Sequence, residues 1–478
     1  MVAVDIGADV SSLVDIIVSG NLDQIITTAR EYLQRDTAVD ILIGRIAMIA
    51  AHRDSTGHRI ITLAAASMLG RLIHWIPAPI DTPEPAKDRA LPLLVQALKI
   101  AMPILAAGRE ALAHTQYLQP FFPSELIDSH KSVNDVMREA IEKNNAELAE
   151  RILLGLYGTG ADYRTMQVRA YESIAPTFQN GGHPLIFAVR GFQLLDAVEW
   201  GDRAPHIIHW LAPHLPLHSD SDEPTWIKTV RAYIAEPAHS LTSIRTRLSA
   251  PKDENALPLR NLLLSDADTT QVCQSVYDAI IKGEASAHAV ASVITLAAAD
   301  IIQRVRDEDH ELFLRAAHGL LFAAAVRLVF QQVQDVEVLN LLFTSAAYLN
   351  ALQKEIPEQE QPKPSKASAT GGGLIAASQL ETLASQLKAQ DLQGAQAMAQ
   401  RYLKIGHDPR ALFGTIGLAA ARIDAESVHG HSLQLVQAAA ETFLMWPKTL
   451  ATTDIHVLLQ VALRAALFGE QDKVVSHL

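Results

Sequence analysis

The chain has 478 residues, enough for two to four domains at roughly 100 to 200 residues each, or for one long repetitive array. Forty Lys and Arg against 53 Asp and Glu give a net charge of −13, and aromatic residues make up 5%, so neither a phosphate-neutralising surface nor a base-stacking platform is expected, and nucleic acid is not an expected partner. The longest nearly unbroken apolar stretch, residues 316–326, runs about 11 residues around His318, short of the roughly 18 to 20 that a bilayer span needs, and the single cysteine, Cys273, forms no internal disulfide.

Met1 to Asp5 hold no basic segment leading into an apolar one, so the expectation is a soluble cytoplasmic protein with no membrane partner. Further along, Leu22, Ile25, Ile26 and Ala29 lead into Tyr32 and Leu33 at helical spacing, and Val39, Ile41, Leu42, Ile46 and Ile49 form a second stripe. No sustained two-residue alternation rich in Val, Ile and Thr follows anywhere, and no Asn-Gly or Asp-Gly pair joins two such runs. The whole chain reads as all-α.

Four candidate helix N-caps, Thr37, Asp162, Ser286 and Asp408, lie 125, 124 and 122 residues apart, and Pro409 stands where proline favours a first helical turn. Twenty-one residues beyond three of them stand His58, His183 and His429; a further 17 residues on stand Trp75, Trp200 and Trp446. Tyr32, Tyr157 and Tyr402 precede the same caps by five or six residues. These coincidences divide the chain into divergent quarters, 1–125, 126–250, 251–353 and 374–478, with four helices each and about sixteen in all. The fourth helices are expected near residues 91–104, 204–215, 336–352 and 453–468. Units this small bury their apolar faces partly on their neighbours, which favours a continuous superhelical or ring-like array. Residues 354–373, rich in Pro, Gln, Ser and Gly, read as a flexible linker ahead of the last quarter.

Nineteen histidines are the unusual feature. Seventeen residues bring a helix back to within about 20° of its starting direction, so each His and Trp should share an inward face. If the quarters pack around one axis, His58, His183, His310 and His429 converge, and imidazoles from different helices are ordinary ligands for iron, copper or zinc. The third quarter is irregular, with 24 residues from Ser286 to His310 and Phe330 in place of a tryptophan, so either His310 or the apolar-flanked His318 is its inward histidine. His431 competes with His429 in the same way. Asp307 and His310, like Glu426 and His429, have the three-residue spacing of helical di-iron ligands, but so many acids produce such pairs by chance. His206, His209, His214 and His218 form a second dense group, equally suited to metal or to a polar helix end. Phosphate-cradling, nucleophile-elbow and HExxH signatures are absent.

The run Leu153-Leu154-Gly155-Leu156-Tyr157-Gly158-Thr159-Gly160-Ala161 with Gly181-Gly182-His183-Pro184-Leu185-Ile186 resembles segments of the questin-oxidase-like family. That resemblance implies a helical protein that inserts oxygen into polyketide rings. Arg422, Asp424, His431 and Gln434 resemble a pattern in the helical modules joined to Rieske ferredoxin domains. One cysteine excludes the Rieske cluster from this chain.

The reading that follows is an oxidoreductase of monooxygenase type. It would depend on iron or another transition metal and act on an apolar small molecule in a cavity between the quarters. His183, His318 and Tyr157 are its candidate catalytic groups, and His58, His183, His310, His429 and His431 its candidate metal ligands. The alternative is a non-catalytic helical-repeat scaffold or small-molecule-binding protein.

Overall fold

The structure is a computed structural model that describes residues 8–35, 38–51, 54, 56–79, 87–106, 118–126, 130–160, 163–198, 204–215, 224–239, 241, 250–306, 308–333, 335–357 and 373–478. Thr37, Asp162, Trp200, His218, Asp307 and most of the linker expected at 354–373 lie outside these residues.

The fold is all-α, as the absence of strand periodicity predicts, and the described residues form 21 helices where about sixteen were expected. The first quarter carries α1 (Ala8–Ser19), α2 (Leu22–Gln34), α3 (Val39–Ala51), α4 (His58–Ile73) and α5 (Leu91–Ala106). The second carries α6 (Val133–Glu142), α7 (Ala146–Gly158), α8 (Tyr163–Ile174), α9 (His183–Ala197) and α10 (Ala204–Leu211), with α11 (Thr225–Ala235) following. In the third stand α12 (Pro258–Leu263), α13 (Thr269–Ile281), α14 (Ala287–Gln303), α15 (His310–Gln332) and α16 (Asn340–Glu355). The fourth holds α17 (Ala376–Lys388), α18 (Leu392–Lys404), α19 (Pro409–Ala420), α20 (His431–Leu444) and α21 (His456–Ala465). Each quarter opens with one helix beyond the four expected, and the second also ends with one, α11.

Local chemistry sets the starts. Ser286 accepts a hydrogen bond from the Ala289 amide at 3.2 Å and caps α14. Asp408 accepts from the Arg410 amide at 2.9 Å, with Pro409 in the first turn of α19.

Helices α4, α9, α15 and α20 pack in a closed cycle: α4 on α9, α9 on α15, α15 on α20, and α20 back on α4. Helices α3, α8, α14 and α19 cover them from outside. Small residues permit the close approach, with Ala64 to Ala66, Ala323 to Ala325 and Ala438 to Ala440 all buried. Two segments, 88–106 and 310–332, are long and apolar enough to cross a membrane by length and composition, but 72% and 78% of their apolar windows are buried inside the protein. At the far end of the cycle Arg327 donates to the Met445 carbonyl at the end of α20, and Arg190 faces Glu441 at 3.6 Å.

Leu320 on α15 is fully buried in this cycle, so Leu320→Ala should lower the unfolding free energy by about 3 kcal/mol in urea titrations. Glu311→Ala, on the exposed start of the same helix, should change it by less than about 0.5 kcal/mol.

Candidate functional site

Three helices of the cycle begin at a histidine that follows a glycine in the left-handed region: Gly57 (φ 76°) before His58, Gly182 (φ 86°) before His183 and Gly430 (φ 73°) before His431. Glycine is required there both by backbone angle and by space. A Cβ on Gly182 would sit 2.2 Å from the Phe322 ring, and one on Gly430 2.1 Å from Thr62 Oγ1. The fourth helix, α15, is 23 residues long against 16, 15 and 14 for α4, α9 and α20, because it begins about two turns earlier. His318 therefore stands within α15 at the level where the other three helices start.

The imidazoles of these helices meet in a chain. His58 Nε2 lies 3.2 Å from His183 Nε2, the His183 and His318 rings are 5.1 Å apart, and His318 Nε2 lies 3.4 Å from His431 Nε2. His310, by contrast, is exposed roughly 12 Å further along α15 at 1.5 Å per residue, with its ring against Phe468. His429 occupies an exposed turn position with φ 49°, near enough to His58 and His318 to act on their charge but outside the ring contacts. The inward histidines of the third and fourth quarters are thus His318 and His431.

Each ring is held through its other nitrogen. His58 Nδ1 donates to the Thr56 carbonyl at 3.0 Å, His318 Nδ1 to Leu314 at 2.8 Å, His431 Nδ1 to Val428 at 2.8 Å, and His183 Nδ1 to Asn180. A neutral imidazole has one donor and one acceptor, so these bonds assign the proton to Nδ1 and leave a lone pair on all four Nε2 atoms. The two short Nε2 contacts then set acceptor against acceptor, a repulsion that a donor or a cation between them would relieve. A proton is disfavoured. Burial holds His58 and His318 below the ordinary imidazole value and pushes His183 down to about 4 and His431 to about 3. The positive ends of α4, α9 and α20 point at the chain and act in the same direction.

The nearby carboxylates are committed elsewhere. Asp54 accepts from the Ile60 amide and the Thr56 hydroxyl, both at 2.9 Å, and Glu426 forms a two-pronged ion pair with Arg59. The three-residue spacing of Glu426 and His429 therefore builds no ligand pair. Among the described residues, no group of three or more His, Cys, Asp or Glu side chains is arranged to hold an ion as it stands. What is present is two imidazole pairs joined by one ring contact. Their gaps of 3.2 and 3.4 Å match the roughly 3.3 Å separating two nitrogens bound tetrahedrally to one ion at about 2.0 to 2.1 Å.

Other expected residues fall away from this chain. Tyr157 is half-buried on α7, which packs on α6, α8 and α10, outside the four helices that carry the imidazoles. The Tyr32 hydroxyl bonds Ser12 at 2.9 Å, and Tyr402 is buried beside His407. Trp75 and Trp446 lie past the ends of α4 and α20 rather than on their inward faces: Trp75 is 41% exposed under the Arg410 guanidinium, and Trp446 donates to the Ala451 carbonyl. His209 pairs with Glu150 at 3.0 Å, and His214 bonds the Asp54 carbonyl at 3.2 Å, so the second dense group of histidines is spread over separate partners.

Sequence reasoning missed an aromatic wall beside the chain. Phe178 packs against Trp226, Phe322 and Tyr348, and the Tyr348 hydroxyl lies 3.8 Å from where a Cβ on Gly181 would stand. These residues come from different quarters and carry no shared spacing. On the other side Phe187 touches the rings of His58, His183 and His214.

No family model, curated protein or solved structure matches the chain.

Gly182→Ala and Gly430→Ala should each lower stability by at least about 2 kcal/mol, whereas Gly20→Ala, with φ 70° and nothing within 4 Å, should cost about 1 kcal/mol, all read by chemical denaturation. His206 is buried on α10 and pushed down to about 4, first by burial and then by His209. The unfolded chain takes up a proton there near pH 6.5 and the folded chain near 4, so stability is lost as pH falls through that window. His206→Phe should flatten the acid-side slope of unfolding free energy against pH by up to about 1.4 kcal/mol per pH unit.

Proposed function

We propose that the protein is an oxidoreductase that holds a transition-metal ion, with iron the first candidate, on His58, His183, His318 and His431, and oxidises an apolar small molecule on their open side. The observation that carries this reading is the commitment of all four Nδ1 atoms to backbone carbonyls, which leaves four Nε2 lone pairs facing one another in pairs. Metal-ligating histidines are held through the second nitrogen in this way, which fixes tautomer and ring orientation. When bound, such an ion supplies a redox couple and Lewis acidity.

The rest is done by the chain's own residues. His58, His183 and His318 are partly exposed while His431 is buried, so approach is from one side. Phe187 and the wall of Phe178, Trp226 and Tyr348 offer an apolar flank that orients a hydrophobic substrate and excludes water. Burial pushes the Tyr348 phenol up to about 12, so near neutral pH it keeps its proton and acts as a hydrogen-bond donor beside Gly181. The converging helix starts stabilise negative charge developing on a substrate oxygen.

One observation favours the alternative of a non-catalytic helical scaffold or binding protein: none of four cavities of about 320 to 740 Å³ is lined by these imidazoles. Elemental analysis and optical spectra of protein expressed with iron and purified without chelating resin separate the two. The catalytic reading expects near-stoichiometric metal, a loss of tenfold or more in metal affinity for His318→Ala and His431→Ala, little change for His310→Ala, and dioxygen uptake only by the loaded protein. Sub-stoichiometric metal, with no response to added iron, copper or zinc, overturns it.

A further inference from the structure

A second site lies away from the imidazoles. A cavity of about 340 Å³ opens between α17, α19 and the segments around Ile76 and Arg89, a size suited to a small organic ligand. Leu380, Leu387, Leu418 and Pro92 wall it with apolar surface, and all four are buried. Two guanidinium groups reach the same space. Arg422 follows the end of α19, donates from Nη1 to the Leu418 carbonyl at 3.2 Å, and leaves its buried Nε without a partner. No carboxylate pairs with it among the described residues, and burial alone holds it below the ordinary guanidinium value. Arg89 donates to the Ile76 carbonyl at 2.6 Å and is likewise held down by burial.

The acids at this cavity do not neutralise that charge. Asp88 is paired with Arg30 at 3.4 Å, and Glu381 stands exposed at the rim, about two turns before the exposed Lys388, and acts on Arg89 at a distance. Leu478, which also lines the cavity and carries a main-chain carboxylate, makes no ion pair with either arginine among the described residues. A half-buried cation with an idle N–H, set in an apolar enclosure, calls for an anion carrying a hydrophobic body. A singly charged group fits best, because Glu381 and Asp88 oppose a doubly charged one.

We propose that this cavity binds an amphipathic monocarboxylate of medium chain length, its carboxylate on Arg422 and Arg89 and its hydrocarbon against Leu380, Leu387 and Leu418. The test is calorimetric titration of the full chain at pH 7.5 with decanoate, decanol and decyl phosphate. Decanoate should bind at least tenfold more tightly than either of the others. Arg422→Met should weaken decanoate at least tenfold and remove its advantage over decanol. Ala384→Trp, which fills the mouth from the exposed face of α17 and leaves the arginines in place, should abolish binding in a chain that circular dichroism shows to be folded. Absence of decanoate binding, equal binding of decanol, tighter binding of decyl phosphate, or unchanged decanoate affinity in a folded Arg422→Met or Ala384→Trp protein would each overturn the proposal.

Discussion

Four helices that each pack on two of the others close into a cycle most tightly where their facing surfaces are small. The alanine triplets of α4, α15 and α20 meet this constraint, and the glycine-started turns let α4, α9 and α20 begin at one level. Everything at the candidate site follows from that closure. Side chains at the first residue of a helix point back over its open end, so histidines there are delivered to the axis without help from loops. The backbone just upstream, still turning, then supplies the carbonyl that each Nδ1–H needs.

How much of this can be read from residues alone differs by element. Helical character is plain throughout, because the outer helices bury one apolar face, the inner ones such as α9 and α15 are apolar and buried nearly all round, and no strand alternation competes. The pairs Gly57-His58 and Gly182-His183 mark real helix starts, since glycine adopts the left-handed angle before each at the least steric cost. A fixed 21-residue step nevertheless selects His429 over His431, because Asp408 stands 23 residues before His431; the glycine, rather than the count, carries the structural signal. His318 has no such marker. It lies mid-helix, its Nδ1 bond satisfied by the carbonyl four residues earlier, so nothing local separates it from an ordinary core histidine. The tryptophan coincidence pointed to an inward face, yet the helices end before Trp75 and Trp446 and the rings serve other contacts.

Charge is distributed along the cycle in the sense its dipoles demand. Neutral imidazoles occupy the end where helix starts are positive, and Arg327 sits at the opposite end against a terminal carbonyl of α20. Burial and dipole both strip protons from the histidines, and the cost is accepted only where lone pairs, not charges, are wanted. The same logic separates the two sites: one assembles unprotonated bases, the other a cation lacking its counter-ion.

The seam between the first and last quarters has a temporal consequence. Arg59 meets Glu426, Gln434 bonds Thr62 at 2.8 Å, Gln96 bonds the Ile423 carbonyl at 3.0 Å, and Lys99 pairs with Asp472, partners 327 to 373 positions apart. A polypeptide emerging from the ribosome has no α20 with which to finish the cycle until long after α4 has been made. Until then His318 lacks its neighbour His431, and α4 and α15 lack the helix that packs on both. Closing so large a loop costs conformational entropy that grows only slowly with length, about 0.6 kcal/mol per doubling, so the delay is one of synthesis more than of thermodynamics. The contact between His318 and His431 therefore forms only once α20 has been made, long after α4, α9 and α15 are complete.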